Sequence, residues 1–189
     1  MIRRITQQYI GGISMQLNSD LTMFHPLWER ADNELCSSKA LGIFGRLVDV
    51  YVLACAIGIK EDKVITEIEA PLSNEKTIGR NTHRQNLDVR DLLDFMLQNA
   101  LINSKTINFD TDERLKLAFN PDYTVKNFSA ANFLTGFANY GIEQIFNAIQ
   151  SKSPIVAINE LYRYFESLAS SRYDELLQNI TLETLMNDN

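Results

Sequence analysis

Residues Ile43-Phe44-Gly45-Arg46-Leu47-Val48-Asp49-Val50-Tyr51-Val52-Leu53-Ala54-Cys55-Ala56-Ile57-Gly58-Ile59 decide the fold class. Phe44, Leu47, Val48, Val50, Tyr51, Val52, Leu53, Ala54, Cys55 and Ile57 place apolar groups around most of a helical circumference. A helix apolar nearly all round is a central one, covered by other elements, so the stretch predicts a helical core. Gly58 stands where a C-cap is expected, and Lys60-Glu61-Asp62-Lys63 returns the chain to solvent. The apolar run from Leu47 to Ile59 is broken by Asp49. It is also shorter than the roughly 20 residues of a membrane span, which makes it a core helix.

Working outward, Ser129 is an N-cap for a second long helix to Ile149, with Phe133, Leu134, Phe137, Ala138, Tyr140, Gly141, Ile145, Phe146 and Ile149 on an aromatic-rich face. Pro26 opens a short helix in which Leu27, Trp28, Ala31 and Leu35 recur at helical spacing, ending near Ser37-Ser38. Val89, Leu92, Leu93, Phe95, Met96, Ala100 and Leu101 predict a helix from about Asp88 to Asn99 or a little beyond, and another is expected at Asp112–Phe119, before Pro121. Ser153-Pro154 begins a helix whose stripe of Ile155, Ile158, Leu161, Tyr162, Phe165 and Leu168 runs to about Ala169; Ser171 or Arg172 then starts a further turn, and Thr181 caps Leu182–Met186. Val64–Ile68 alternates like a short strand, and Ser73–Asn86 shows no period and is expected to be an exposed, mobile loop that a partner orders. The expected architecture is mainly α, a compact helical domain with at most a small β-element. One domain spans 1–189, with an N-terminal arm at 1–22 and C-terminal helices at 154–189 packed on the core.

Composition agrees with an ordinary globular protein: 45% of the 189 residues are hydrophobic and 22% charged. The net charge of −6 repels polyanions, so nucleic-acid binding needs a local basic patch to overcome it. Met1-Ile2-Arg3-Arg4 is followed by Gln7, Gln8 and Gly11-Gly12 rather than an apolar run, which predicts no secretory signal and a cytoplasmic protein. Cys36 and Cys55 fit no metal or redox spacing and are expected as buried free thiols.

No set of residues reads as an active site. His25 and His83 lie in separate segments, and neither has a second histidine, a cysteine or an acid pair at ligand spacing. His25, beside Pro26, is expected as a helix-entry residue. Asp49 with Glu61-Asp62-Lys63 matches the letters of a metal nuclease, in which acids hold a divalent cation and a lysine stands near the phosphate. The context is wrong, since Asp49 falls inside a helix and the Glu-x-Lys in a polar turn. Gly79 and Gly11-Gly12 form no phosphate loop, and no serine sits in a nucleophile turn. The expectation is a protein that is not an enzyme and carries no metal or cofactor.

Lys76-Thr77-Ile78-Gly79-Arg80-Asn81-Thr82-His83-Arg84-Gln85-Asn86 contains three basic residues and a histidine without an acid. Lys76, Arg80, His83 and Arg84, with amide donors between them, suit phosphate or carboxylate contacts. A solvated loop balancing nearby acids is the plainer reading of the same letters. The aromatic series Phe128, Phe133, Phe137, Tyr140, Phe146, Tyr162, Tyr164 and Phe165 has helical spacing, which points to core packing before base stacking.

Two segments together carry a resemblance: Phe44-Gly45-Arg46-Leu47-Val48-Asp49-Val50-Tyr51-Val52-Leu53-Ala54-Cys55-Ala56-Ile57-Gly58 and Phe133-Leu134-Thr135-Gly136-Phe137-Ala138-Asn139-Tyr140-Gly141-Ile142-Glu143-Gln144-Ile145. Their order resembles small helical proteins encoded beside bacterial DNA-phosphorothioation (Dnd-type) modification and restriction genes, with Ala138-Asn139-Tyr140-Gly141-Ile142-Glu143 as the distinctive part. The resemblance implies a non-catalytic accessory of an anti-phage or DNA-modification system and brings no catalytic residues with it. The expected partner is therefore a protein, a larger ATPase or nuclease of such a system. Nucleic acid at Lys76, Arg80, His83 and Arg84 is the alternative, a membrane is not expected, and self-association is possible on either reading.

Overall fold

Two glycines set the centre of the fold. The computed structural model describes residue 17 and residues 19–66, 75–120 and 122–187, with side chains as far as residue 170. In it, helix α2 (Leu47–Glu61) crosses helix α6 (Ala130–Ala148) at Gly58 and Gly141. A Cβ on Gly58 would lie 2.2 Å from the carbonyl oxygen of Phe137, and one on Gly141 would lie 1.9 Å from that of Ala54. No side chain fits there, so Gly58 serves the backbone contact of two helices rather than the helix end expected of it. Val48, Val50, Tyr51, Ala54, Cys55 and Ile57 of α2 are buried, with Leu134, Phe137, Ala138 and Ile142 of α6. Tyr51 and Thr135 hydroxyls meet at 3.0 Å inside this layer.

The remaining elements follow in order: β1 (Leu21–Met23), α1 (Leu27–Arg30, continued by a π turn at Ala31–Leu35), α2, β2 (Lys76–Ile78), α3 (Arg80–Gln85), α4 (Leu87–Asn103), α5 (Thr111–Phe119), α6 and α7 (Pro154–Asn187). The fold is mainly α with one two-stranded sheet among the described residues, as the periodicity predicts. Caps explain the boundaries. Asn86 accepts the Val89 N–H at 3.3 Å before α4, and Asp110 and Glu113 form a reciprocal capping box on α5. Ser129 accepts the Asn132 N–H at 3.2 Å before α6. α2 starts at Leu47, because Arg46 is extended and its guanidinium reaches Asp49 across the first turn at 2.6 Å. It ends at Asp62, in the left-handed region with φ 51°, whose carboxylate accepts Ser104 Oγ at 2.5 Å and the Lys105 N–H at 2.9 Å. The end of α2 is thereby tied to the end of α4.

Three further expectations are corrected. Residues 76–86 are not a mobile loop: Lys76–Ile78 pairs antiparallel with β1 in the register Leu21↔Ile78, Thr22↔Thr77, Met23↔Lys76, and Arg80–Gln85 is helical. A three-residue strand is too short for its alternation to register in sequence, and its partner lies more than fifty positions away. Val64–Thr66 forms no strand, and Glu67 and Ile68 lie outside the described residues. Instead Ile65 donates its N–H to the Gly136 carbonyl at 2.9 Å and accepts Asn139 Nδ2 at 3.1 Å, so the segment is fastened to a helix. Finally, α7 is continuous where a break near Ala169 is expected. Ser167 and Ser170 satisfy their hydroxyls on the carbonyls of Tyr164 and Ser167, and a serine pair without Gly or Pro costs only tenths of a kcal/mol in a helix.

Most of the expected N-terminal arm, residues 1–16 and Asn18, lies outside the described residues; its inner end does not dangle, since Leu17, Leu21 and Met23 are buried. The chain groups into two compact units, Met1–Gln144 and Ile145–Asn189. In the second, Glu160 of α7 accepts the N–H groups of Gln150 and Ser151, both at 3.0 Å, which fixes the approach to that helix.

Candidate functional site

The basic segment comes first, because the sequence singles it out. β2 and α3 bring Lys76, Arg80, His83 and Arg84 beside the lead-in to β1. Lys76 pairs with Asp32 at 2.8 Å. His83 is buried and its Nε2–H donates to the Ser19 carbonyl at 3.1 Å. Burial lowers its pKa, so it stays neutral more readily than a free histidine. Half-buried Arg84 points Nη1 at the Leu17 carbonyl, 3.5 Å away. Arg80 is exposed, but its backbone N–H is held by Asp20 at 2.6 Å. A depression of about 440 Å³ here is lined by Ser19, Asp20, Gly79, Arg80 and Asn81, so its cation sits beside an acid. Most of what looks like a polyanion contact in the sequence fastens β1 to its neighbours.

The nuclease letters are not brought together. Asp49 lies in the first turn of α2 and Glu61 at its end, about 18 Å apart at 1.5 Å per residue. Asp49 pairs with Arg46, whereas Glu61 accepts the Tyr140 hydroxyl at 2.6 Å and Lys63 at 3.2 Å. Lys63 also stands 5.2 Å from the Tyr140 ring centre. His25 takes the helix-entry place expected of it: Nδ1 accepts the Leu27 N–H at 3.2 Å, while Nε2 faces Glu143 at 3.0 Å. Among the described residues no three His, Cys, Asp or Glu side chains are grouped to hold a metal. No helix among them is long and apolar enough to cross a membrane. Both cysteines are free; Cys55 is buried and its thiol pushed up, and Cys36 is half-buried, its pKa raised to about 11 by desolvation and by Asp32 and Asp49.

Every residue of Ala138-Asn139-Tyr140-Gly141-Ile142-Glu143 has a place in the fold. Asn139 accepts Trp28 Nε1–H at 2.9 Å and donates to Ile65, Tyr140 bonds Glu61, Gly141 admits Ala54, Glu143 meets His25, and Ala138 and Ile142 are buried. The segment is a clamp that gathers α1, α2 and residues 64–66 onto one helix.

Beside this clamp lies a groove of about 670 Å³, within the size range of small-molecule and peptide-anchor sites. Thr135, Gly136 and Asn139 of α6 form its inner side, Val64, Ile65 and Thr66 one wall, and Phe128 and Phe133 another. Ring contacts at 5.6, 5.7 and 5.1 Å join Phe109, Phe128, Phe133 and Phe137 in series, so the expected aromatic packing holds for Phe137 while Phe128 and Phe133 turn to the groove. Thr22 and exposed Phe24 of the β1 segment close one side. Asn108, Asn127 and Asn132, all exposed, stand among the lining residues, with Asn127 in the left-handed region at φ 64°. No Asp, Glu, Lys or Arg is found among the described lining residues. Sequence reasoning missed this site because it gathers uncharged residues from four separate segments. The only trace was the recurrence of Asn at chain turns, which reads equally as turn chemistry.

Comparison of the chain with models of protein families, with curated proteins and with solved structures gave no match.

Proposed function

We propose that this chain is a non-catalytic interaction subunit that docks onto a larger protein, an ATPase or nuclease of a bacterial anti-phage defence or DNA-modification system. The observation that supports a protein partner is the contrast in surface chemistry between the two candidate sites. Lys76, His83 and Arg84 are engaged with the chain's own carboxylate and carbonyl groups, while the groove offers aromatic walls and exposed carboxamides without charge. Uncharged amphipathic recesses suit protein segments, whereas nucleic-acid affinity is built on cations released from other duties. The defence setting rests on the resemblance of the Phe44–Gly58 and Phe133–Ile145 segments.

The test is recovery of the tagged full chain from its native cell at two salt concentrations, with the products of the flanking genes identified. A stoichiometric ATPase or nuclease, retained at high salt, is the expected result. Recovery of the chain alone at both concentrations overturns the proposal. Recovery with nucleic acid that is lost steeply with salt and on Arg80→Ala points instead to the basic segment.

A further inference from the structure

We infer that the groove beside Asn139 takes an extended, uncharged peptide segment of a protein partner, paired through main-chain hydrogen bonds with residues 64–66. The inference rests on the interaction-subunit reading and names the chemistry of the docked segment. Three observations carry it. Ile65 spends both of its main-chain groups on α6, but the N–H and C=O groups of Val64 and Thr66 make no hydrogen bond to a described residue. A short stretch of main chain whose donors and acceptors are not taken up by described residues, lying along a groove, is a template on which an extended peptide adds. Around it, the carboxamides of Asn108, Asn127 and Asn132 bond to no described side chain or backbone acceptor, although Asn108 and Asn132 each lie within a few residues of a helix cap. A carboxamide offers one donor pair and one acceptor, the same complement that a peptide unit presents, so several of them along one groove match a repeating amide backbone.

Charge narrows the occupant further. A phosphate, nucleotide or strongly charged peptide would be desolvated in a recess whose described lining carries no counter-charge, within a chain of net charge −6. Aromatic Phe24, Phe128 and Phe133 accept apolar side chains, which in an extended peptide project alternately, two residues apart, toward the same surface. The segment recognised is therefore extended, uncharged over its central residues, and carries an apolar side chain at every second position facing the groove.

The experiment uses the full chain and a phage-displayed library of random decapeptides, with the double variant Asn108→Ala/Asn132→Ala as the counter-selection target. Both asparagines are exposed and bond no other described side chain, so the variant should unfold at the same temperature as the parent. Enriched peptides should be uncharged at their centre. Their affinity should fall about tenfold or more on the double variant, the worth of one or two hydrogen bonds at a groove. N-methylation of the synthetic peptide should weaken binding at alternate positions, which side-chain recognition alone would not produce. Failure to enrich any peptide over the counter-selection, or indifference to N-methylation at every position, overturns the inference. So does displacement of the peptide by an oligothymidine strand, which would assign the groove to bases. Failure here is separable from failure of the subunit reading: if the double variant still recovers the native partner as well as the parent does, the subunit stands and the groove is not its docking site.

Discussion

The α2–α6 crossing and the groove share α6, yet they use their residues in opposite ways. At the crossing every polar group is spoken for: Asn139 makes two hydrogen bonds, Tyr140 and Glu143 each meet a partner on another segment, and two glycines stand where a methyl group would strike backbone. About two turns away, Asn132 is exposed and Phe133 faces a recess. A distinctive sequence motif thus marks close packing here, not an open surface. The motif in 138–143 is distinctive because close helix packing tolerates few residue types, while the groove is assembled from residues that many surfaces carry.

The comparison breaks first at Gly141. Gly141→Ala places a methyl group 1.9 Å from the Ala54 carbonyl oxygen, backbone that cannot turn aside as a side chain would. Separating α2 from α6 should cost about 3 kcal/mol or more, read from the midpoint of urea unfolding, and a loss below about 1 kcal/mol would mean the helices adjust freely. Next is Asn139→Ala, which strands the buried Trp28 Nε1–H and the Ile65 carbonyl; a loss of about 2–3 kcal/mol is expected, with a shift of tryptophan emission as the reporter.

A smaller effect is expected at Asp94 of α4, where desolvation raises the carboxyl pKa to about 6 despite Arg84 and Arg90 nearby. Because the folded pKa lies above the unfolded one, the folded state holds the proton more tightly between about pH 4 and 6, and stability contributed by the neutral carboxyl is lost as pH rises through that window. Asp94→Asn should therefore stabilise at pH 7 by about 1 kcal/mol, partial solvent contact having reduced the full linkage value, and change little at pH 4. Equal effects at both pH values would remove the titration as the cause. The smallest effect belongs to the groove: Asn108→Ala with Asn132→Ala should leave unfolding within about 0.5 kcal/mol of the parent. A loss of about 2 kcal/mol or more there would show that the rim holds the fold together just as the crossing does.

The residues that were legible in sequence are those whose message is local. The apolar circumference read from Ile43 to Ile59, helical from Leu47 onward, the proline start at Pro26, the Ser129 cap and the stripe after Pro154 each reports on its own backbone within a few positions. His25 as a helix-entry residue is of the same kind. What stayed hidden needed a distant partner. Thr77-Ile78 becomes a strand because Leu21–Met23 supplies the other edge, His83 is buried because Ser19 offers it a carbonyl, and Gly58 looks like a helix cap until α6 arrives against it.

The candidate site divides along the same line. Lys76, Arg80, His83 and Arg84 were conspicuous because charge is visible one residue at a time, and the tertiary structure then engaged Lys76, His83 and Arg84 within the chain. The groove had no such signal: Ile65, Asn108, Phe128 and Asn132 are unremarkable alone and become a recess only when α6 fastens residues 64–66 and the turns at 108 and 127 converge on it. By itself the sequence determined a helical fold and its two central helices, since periodicity and capping act over a turn or two of chain. Which polar groups would be consumed by folding and which would remain open was decided only in three dimensions, because a hydrogen bond between residues such as Trp28 and Asn139 exists only once the chain between them has closed.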